Sequence, residues 1–263
     1  MAIKIMIDAG HFSNYNPSPV YPSYKEGNMT FKLQTYLKAE LEKYGFVVGV
    51  TKTSASQDVS LYNRGAKAKG YDLFLSLHSN ACATPSVKRV VVIKGYDQPS
   101  TLANKLADGI TKAMGITEKY QIMTRRGSSG GEYYGVLRGA KAVGVANRFI
   151  LECGFHTNKE VAQWLYQDSN LKKLAKGIAD TLVKHYGYSN TTQTTPSSSS
   201  VGVYKIIVDS LNVRSGPGTS YAIVTTVKQG QAYTITETKN GWGKLKSGAG
   251  WINLSTKYCE KIK

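Results

Sequence analysis

Ile3-Lys4-Ile5-Met6-Ile7-Asp8-Ala9-Gly10-His11 is the stretch from which the fold can be read. A short, mostly apolar run leads through two small residues to a histidine. Two further runs have the same form: Leu73-Phe74-Leu75-Ser76-Leu77 leads to His78, and Phe149-Ile150-Leu151 leads to Glu152. Short apolar or β-branched runs suit strands buried on both faces. Strands are therefore predicted at residues 3–8, 46–51, 71–77, 89–93 and 148–152. Between them, apolar residues recur at helical spacing. Leu33, Leu37, Leu41 and Tyr44 stop at Gly45, and Leu102, Leu106, Ile110 and Met114 stop at Gly115. Leu171, Leu174, Ile178 and Leu182 make the last series. Strands alternating with helices predict an α/β domain of three layers, α/β/α, around a mostly parallel or mixed sheet.

Residues 189–202 read Ser-Asn-Thr-Thr-Gln-Thr-Thr-Pro-Ser-Ser-Ser-Ser-Val-Gly. With no charge and almost no apolar side chain, such a segment cannot offset the entropy of ordering. It reads as a flexible linker between a domain at 1–188 and a smaller one at 203–263. The smaller part carries short strand patterns at 204–208, 223–227, 233–237, 243–246 and 250–253, punctuated by Ser215-Gly216-Pro217-Gly218, Asn240-Gly241 and Ser247-Gly248. That spacing predicts a small all-β barrel.

Composition narrows the class. The 263 residues include 34 Lys and Arg against 17 Asp and Glu, a formal charge of +17. Both parts are basic, so the charge is not a tail. The longest apolar runs, such as Val90-Val91-Val92-Ile93, fall far short of the roughly 20 residues of a membrane-spanning helix, and no stable membrane association is expected. The first residues lack the basic, apolar and small-residue succession of a secretory signal, so synthesis and retention in the cytoplasm are expected. The three cysteines, Cys82, Cys153 and Cys259, form no CxxC pair and read as free thiols.

The chain has four histidines, His11, His78, His156 and His185, and the first two stand at predicted strand ends. In an open α/β sheet the carboxyl ends of the strands form the edge where ligands bind. Two imidazoles at that edge can share a metal, with Glu26, at the start of the first long helix, as a third ligand. Two histidines and a carboxylate with an open fourth position are the donor set of catalytic zinc. A further carboxylate, Glu152, would then move the proton. Pattern alone leaves this reading level with two packed histidines and two solvated acids.

The local strings favour the first reading. Ile7-Asp8-Ala9-Gly10-His11, Glu26, Ser76-Leu77-His78-Ser79-Asn80 and Leu151-Glu152-Cys153-Gly154-Phe155-His156-Thr157-Asn158 resemble, in order, the zinc-dependent N-acetylmuramoyl-L-alanine amidases of bacterial autolysins and phage endolysins. The resemblance covers residues 3–186. It implies an α/β/α fold, zinc (Zn2+) held by His11, Glu26 and His78, and Glu152 as catalytic acid/base. His156 departs from the family's usual apolar residue and reads as peripheral. His185 reads as a cation at a helix C-terminus. Cys153 should point away from Glu152 and pack, Arg64, on a second helix, should serve structure, and Asn80 could bind substrate or end its strand. Arg126-Gly127-Ser128-Ser129-Gly130-Gly131-Glu132 lacks the Gly-Lys-Ser/Thr of a phosphate loop and reads as a mobile loop near the site. A glycosidase built on Glu26 and Glu152 would leave His11 and His78 without a task.

Leu211-Asn212-Val213-Arg214-Ser215-Gly216-Pro217-Gly218, Gly241-Trp242-Gly243 and Gly250-Trp251-Ile252-Asn253 resemble bacterial SH3-type cell-wall-binding domains. Trp242, Trp251 and Tyr221 are candidates for lining a groove for wall peptide or sugar, with Trp242 equally suited to the barrel core. The resemblances imply a peptidoglycan hydrolase cutting between N-acetylmuramic acid and L-alanine, with peptidoglycan and anionic polymers of Gram-positive walls as partners. Without a signal peptide it most resembles a phage endolysin that reaches the wall after membrane permeabilisation. No nucleic-acid-binding motif accompanies the charge. A zinc endopeptidase of the stem peptide and a non-catalytic wall-binding protein are the alternatives.

Overall fold

Three parallel strands lie side by side: β1 (Lys4–Ala9), β3 (Leu73–Asn80) and β6 (Asn147–Phe155). β2 (Val47–Val50) pairs in parallel outside β1. β4 (Val91–Lys94) runs antiparallel to β6, and β5 (Gln121–Met123) lies parallel to β4. The sheet order is β2-β1-β3-β6-β4-β5, a mixed six-stranded sheet. The computed structural model describes residues 2–188, 201–219, 221–239 and 241–262, and these fall into two units, Met1–Asn190 and Thr191–Lys263.

Alternation along the central strands sends successive side chains to opposite faces, and both faces are covered. Ile5, Ile7, Leu73, Leu75, Leu77, Phe149 and Leu151 pack against α1 (Glu26–Lys43), α3 (Thr101–Met114), α5 (Lys159–Tyr166) and α6 (Asp168–Tyr186). Met6, Phe74, Ile150 and Phe155 meet α4 (Gly135–Ala142) on the other side, where α2 (Leu61–Ala66) packs on α4. Helices on both faces of a mixed sheet make the three layers that the sequence predicts. On α1 the series Leu33, Leu37 and Leu41 is fully buried, each side chain contributing about 2 kcal/mol over an exposed one. α3 stops where Gly115 turns left-handed at φ 70°.

Three elements escape the sequence reading. β5 is a three-residue edge strand with no residue fully buried. α4 packs on α2 through backbone rather than through an apolar stripe: a Cβ at Gly65 would meet the Val136 oxygen at 1.9 Å, and one at Gly139 the Tyr62 oxygen at 2.0 Å. α5 starts at Asn158, whose Oδ1 accepts the Val161 N–H at 3.2 Å as an N-cap.

The second unit is a seven-stranded antiparallel sheet. Its strands are β7 (Gly202–Ile206), β8 (Ser210–Arg214), β9 (Ile223–Lys228), β10 (Ala232–Lys239), β11 (Trp242–Leu245), β12 (Trp251–Asn253) and β13 (Cys259–Lys261). They run in the order β13-β7-β10-β11-β12-β8-β9 around Ile206, Val213, Ile235, Leu245 and Ile252. β8 and β13 add two strands to the five predicted. Of the expected linker, residues 189–200 lie outside the described residues and Gly202 opens β7. Among the described residues no helix is long and apolar enough to cross a membrane.

Candidate active site and metal centre

β1, β3 and β6 end on the same edge of the sheet, and the chemistry of the first unit gathers there. β1 leads through Gly10 into His11, which takes a left-handed backbone at φ 59°. Gly10 is required by its neighbour: a Cβ there would stand 2.4 Å from His78 Cε1 and 2.6 Å from Nε2. The two imidazoles lie edge to face with centroids 5.0 Å apart. Thr30 Oγ1 donates to the Gly10 oxygen at 2.6 Å, and Gln34 Oε1 accepts from the Ala9 N–H at 3.2 Å. The buried Lys52 donates to the His11 carbonyl, so the turn into the site is braced from below.

Glu26 is the first residue of α1 and is almost fully buried. Its Oε1 stands 3.0 Å from His78 Nδ1 and accepts the Ser79 N–H at 2.9 Å, while Oε2 stands 3.2 Å from His11 Nε2 and accepts from Asn16 Nδ2. Burial opposes its charge, but both imidazoles outweigh burial and hold the carboxyl well below the usual range. His78 is shifted upward in turn, burial lowering it and Glu26 raising it by more. One ligand atom each from His11, Glu26 and His78 lies within 4.8 Å of the others.

Glu152 stands directly across the β3–β6 ladder from His78. Its Oε2 is enclosed and has no hydrogen-bond partner among the described residues. Burial pushes its pKa up to about 7, with His78 opposing and Glu26 adding to the shift. Glu132 Oε1 is likewise buried without a partner, but only Glu152 stands beside the His11, Glu26 and His78 cluster.

Compared with known proteins, residues 5–184 match the family described as N-acetylmuramoyl-L-alanine amidase, more than half of the chain. The chain belongs to this family. Residues 209–258 match the bacterial SH3 domain. A probable cell wall amidase of Staphylococcus aureus, LytH, is 29% identical over 180 residues, 68% of this chain and 56% of LytH. The match thus spans little more than half the length of that relative. The catalytic domain of CwlV, an N-acetylmuramoyl-L-alanine amidase from Bacillus (Paenibacillus) polymyxa var. colistinus, superposes with a TM-score of 0.60 at 17% identity, covering 71% of this chain and 99% of that one. N-acetylmuramoyl-L-alanine amidase AmiC2 of Nostoc punctiforme gives 0.60 at 21% identity, covering 70% and 97%. Both are likenesses of fold.

Within the amidase unit the other sequence candidates take definite places. Asn80 is the last residue of β3; its Oδ1 accepts the Ala81 N–H at 2.8 Å, and its carbonyl accepts the His156 N–H at 2.8 Å. His156 is buried, with Nδ1 2.9 Å from Ser79 Oγ, which itself lies 2.6 Å from Tyr24 Oη. Cys153 is buried in the opposite core from the Glu152 face, and burial pushes its thiol far up. Arg64 lies under the site on the buried Asp8. His185 lies in the last turn of α6, as its position suggested; burial and then Lys105, 3.2 Å from Nδ1, hold its pKa down.

The glycine-rich stretch of the amidase unit is an exposed surface loop closed by a backbone hydrogen bond. Gly127 N–H donates to the Gly131 oxygen at 2.9 Å, and Glu132 is buried 3.5 Å from Arg148. In the SH3-type unit Trp242 and Trp251 are each only 8% exposed, whereas Tyr221 is 47% exposed. Asn16, Ser79, Lys52 and Tyr15, which touch the cluster residues, were missed. Their contacts are made by loop and backbone geometry that no periodic pattern announces.

Proposed function

We propose that the chain is a zinc-dependent peptidoglycan hydrolase that cuts the amide between the lactyl group of N-acetylmuramic acid and L-alanine. The SH3-type unit would hold it on the walls of Gram-positive bacteria. The observation that carries this reading is the cluster of His11, Glu26 and His78 with Glu152 in register beside His78. Two imidazole nitrogens and a buried, readily ionised carboxylate fit zinc by donor type, count and spacing. Zinc held by these three residues supplies Lewis-acid polarisation of a carbonyl and acidification of water.

The chain's own residues do the rest. Asn16 and the Ser79 N–H fix both oxygens of Glu26 in place beside the two imidazole nitrogens. The Glu152 carboxylate takes a proton from the water that attacks the amide carbon and delivers it to the departing L-alanine nitrogen. Burial of the carboxyl group supports this role, because it raises the pKa to about 7, where the group can both accept and return a proton near neutrality. A net charge of +17 favours accumulation on walls that carry polyanionic polymers.

The test is an end-group assay on purified Gram-positive walls, with and without a zinc chelator. The expected result is chelator-sensitive release of the L-alanine amino group without new reducing ends. Amines on other stem or bridge residues would make the chain an endopeptidase. Reducing ends would point to glycosidase chemistry, and no new ends would leave a wall-binding protein.

A further inference from the structure

Among the described residues three non-glycine positions have a left-handed backbone, and all lie in one short stretch: His11 (φ 59°), Asn14 (φ 63°) and Asn16 (φ 53°). Asparagine tolerates this conformation, histidine less so. The stretch is firmly held. The Ser13 N–H donates to the Ala55 oxygen at 2.8 Å, the Gly27 N–H to the Tyr15 oxygen at 3.3 Å, and Asn28 Nδ2 to Asn14 Oδ1 at 3.1 Å. It crosses α1 so closely that a Cβ at Gly27 would meet the Phe12 oxygen at 1.8 Å.

What this rigid turn presents outward is aromatic. Phe12 is 37% and Tyr15 49% exposed. Their rings stand 5.0 Å apart, and Tyr15 also stacks on His11 at 5.0 Å with an interplanar angle of 21°. Neither ring belongs to the cluster or to a hydrophobic core. Adjacent exposed aromatics on a fixed loop beside a catalytic edge mark a binding surface.

We propose that Phe12 and Tyr15 form a stacking subsite for the pyranose ring that bears the scissile amide. The inference rests on the amidase reading above and names where the sugar lies. In that substrate only an ether oxygen and one carbon separate the ring from the amide carbonyl. A carbonyl at the cluster therefore brings the sugar within reach of a ring that already stacks on His11. The C–H face of a pyranose is apolar and its rim is polar, a match for an aromatic face with a phenolic hydroxyl at its edge.

The experiment compares Tyr15→Ala and Phe12→Ala with the parent in the zinc-loaded full chain, on two soluble substrates. One is a disaccharide-peptide; the other is an N-lactoyl peptide of the same sequence without sugar. The expected result is that the ratio of kcat/KM between the two substrates falls about tenfold in each variant, mostly through KM, while zinc affinity is unchanged. Phe12 keeps the test independent of His11, because its ring lies against Tyr15, tilted by 43°, and not on His11. Equal losses on both substrates, or weaker zinc binding, would overturn the subsite and leave Tyr15 as a support for the His11 ring. If the parent cleaves neither substrate, the amidase reading fails. Calorimetric binding of a peptide-free glycan tetrasaccharide then decides: weaker binding by the variants supports the subsite and equal binding overturns it.

Discussion

Replacing Arg64 by methionine removes one half of a buried ion pair beneath the site while keeping most of the side-chain volume. Asp8 is fully buried, and its carboxylate accepts from Arg64 Nε at 2.8 Å, Arg64 Nη2 at 2.6 Å, Thr51 Oγ1 at 2.6 Å and Ser76 Oγ at 2.6 Å. Without Arg64 only the two hydroxyls remain as direct donors. Breaking such a pair costs about 3–5 kcal/mol, which in a unit of this size lowers Tm by on the order of 10 °C. The pH dependence gives a sharper signature. Burial alone would raise the Asp8 pKa, but Arg64, Ser76 and Thr51 together more than reverse it, and the folded value lies below the usual one. In the parent, the stability due to Asp8 is therefore fully present above an unfolded pKa of about 3.9 and is lost as pH falls through the folded value. In the variant burial dominates, the folded pKa rises above the unfolded one, and acidification relieves the strain. The Tm gap between parent and variant should narrow from pH 7 to pH 4.5. This range lies below the pKa of about 8 at the neighbouring Lys52, which stays charged. The assay is calorimetric unfolding of the full chain, read from the transition that moves on adding zinc. A gap of less than about 3 °C at pH 7, or a gap of equal size at both pH values, would refute this account of Asp8.

Glu152→Gln should lower turnover on cell walls by at least about 100-fold with zinc content unchanged by atomic absorption; near-parental turnover would remove Glu152 from the proton path. Glu26→Ala removes the proposed ligand that touches both imidazoles, and zinc titration calorimetry should show affinity lowered by orders of magnitude. In the parent, zinc at 100 times its Kd should raise the stability of the amidase unit by about 2.7 kcal/mol, an increase that thermal scans with and without chelator would detect. In the second unit, Trp242→Ala should destabilise the sheet by about 3 kcal/mol, because Trp242 is only 8% exposed. Tyr221→Ala should weaken wall pelleting without changing Tm.

The ends of β1, β3 and β6 are legible in the sequence because strands buried on both faces need unbroken apolar runs. Ligand-type residues closing such runs stand out against them. The helices α1, α3 and α6 are legible for the same reason, at a different period. What escaped was built otherwise. α4 meets α2 through Gly65 and Gly139, where close backbone approach replaces the apolar stripe. β5 has too few buried side chains to impose an alternation. The supports of Glu26 come from Asn16 on a left-handed turn and from a backbone N–H, and a main-chain donor leaves no mark in a sequence. Glu132 sits in a glycine-rich stretch that resembles a loop, yet its carboxylate is buried against Arg148.

The order β2-β1-β3-β6-β4-β5 puts the strands that lead to His11, to His78 and to Glu152 next to one another, with β2, β4 and β5 toward the rims. Fraying begins at rims, where fewer hydrogen bonds and buried contacts must be broken, and the innermost ladder opens only when the whole cooperative unit does. The amides that separate His78 from Glu152 across the β3–β6 ladder should therefore be among the slowest in the chain to exchange with solvent. Heat would then leave the catalytic spacing intact until the fold itself is lost, so that inactivation and global melting share one midpoint.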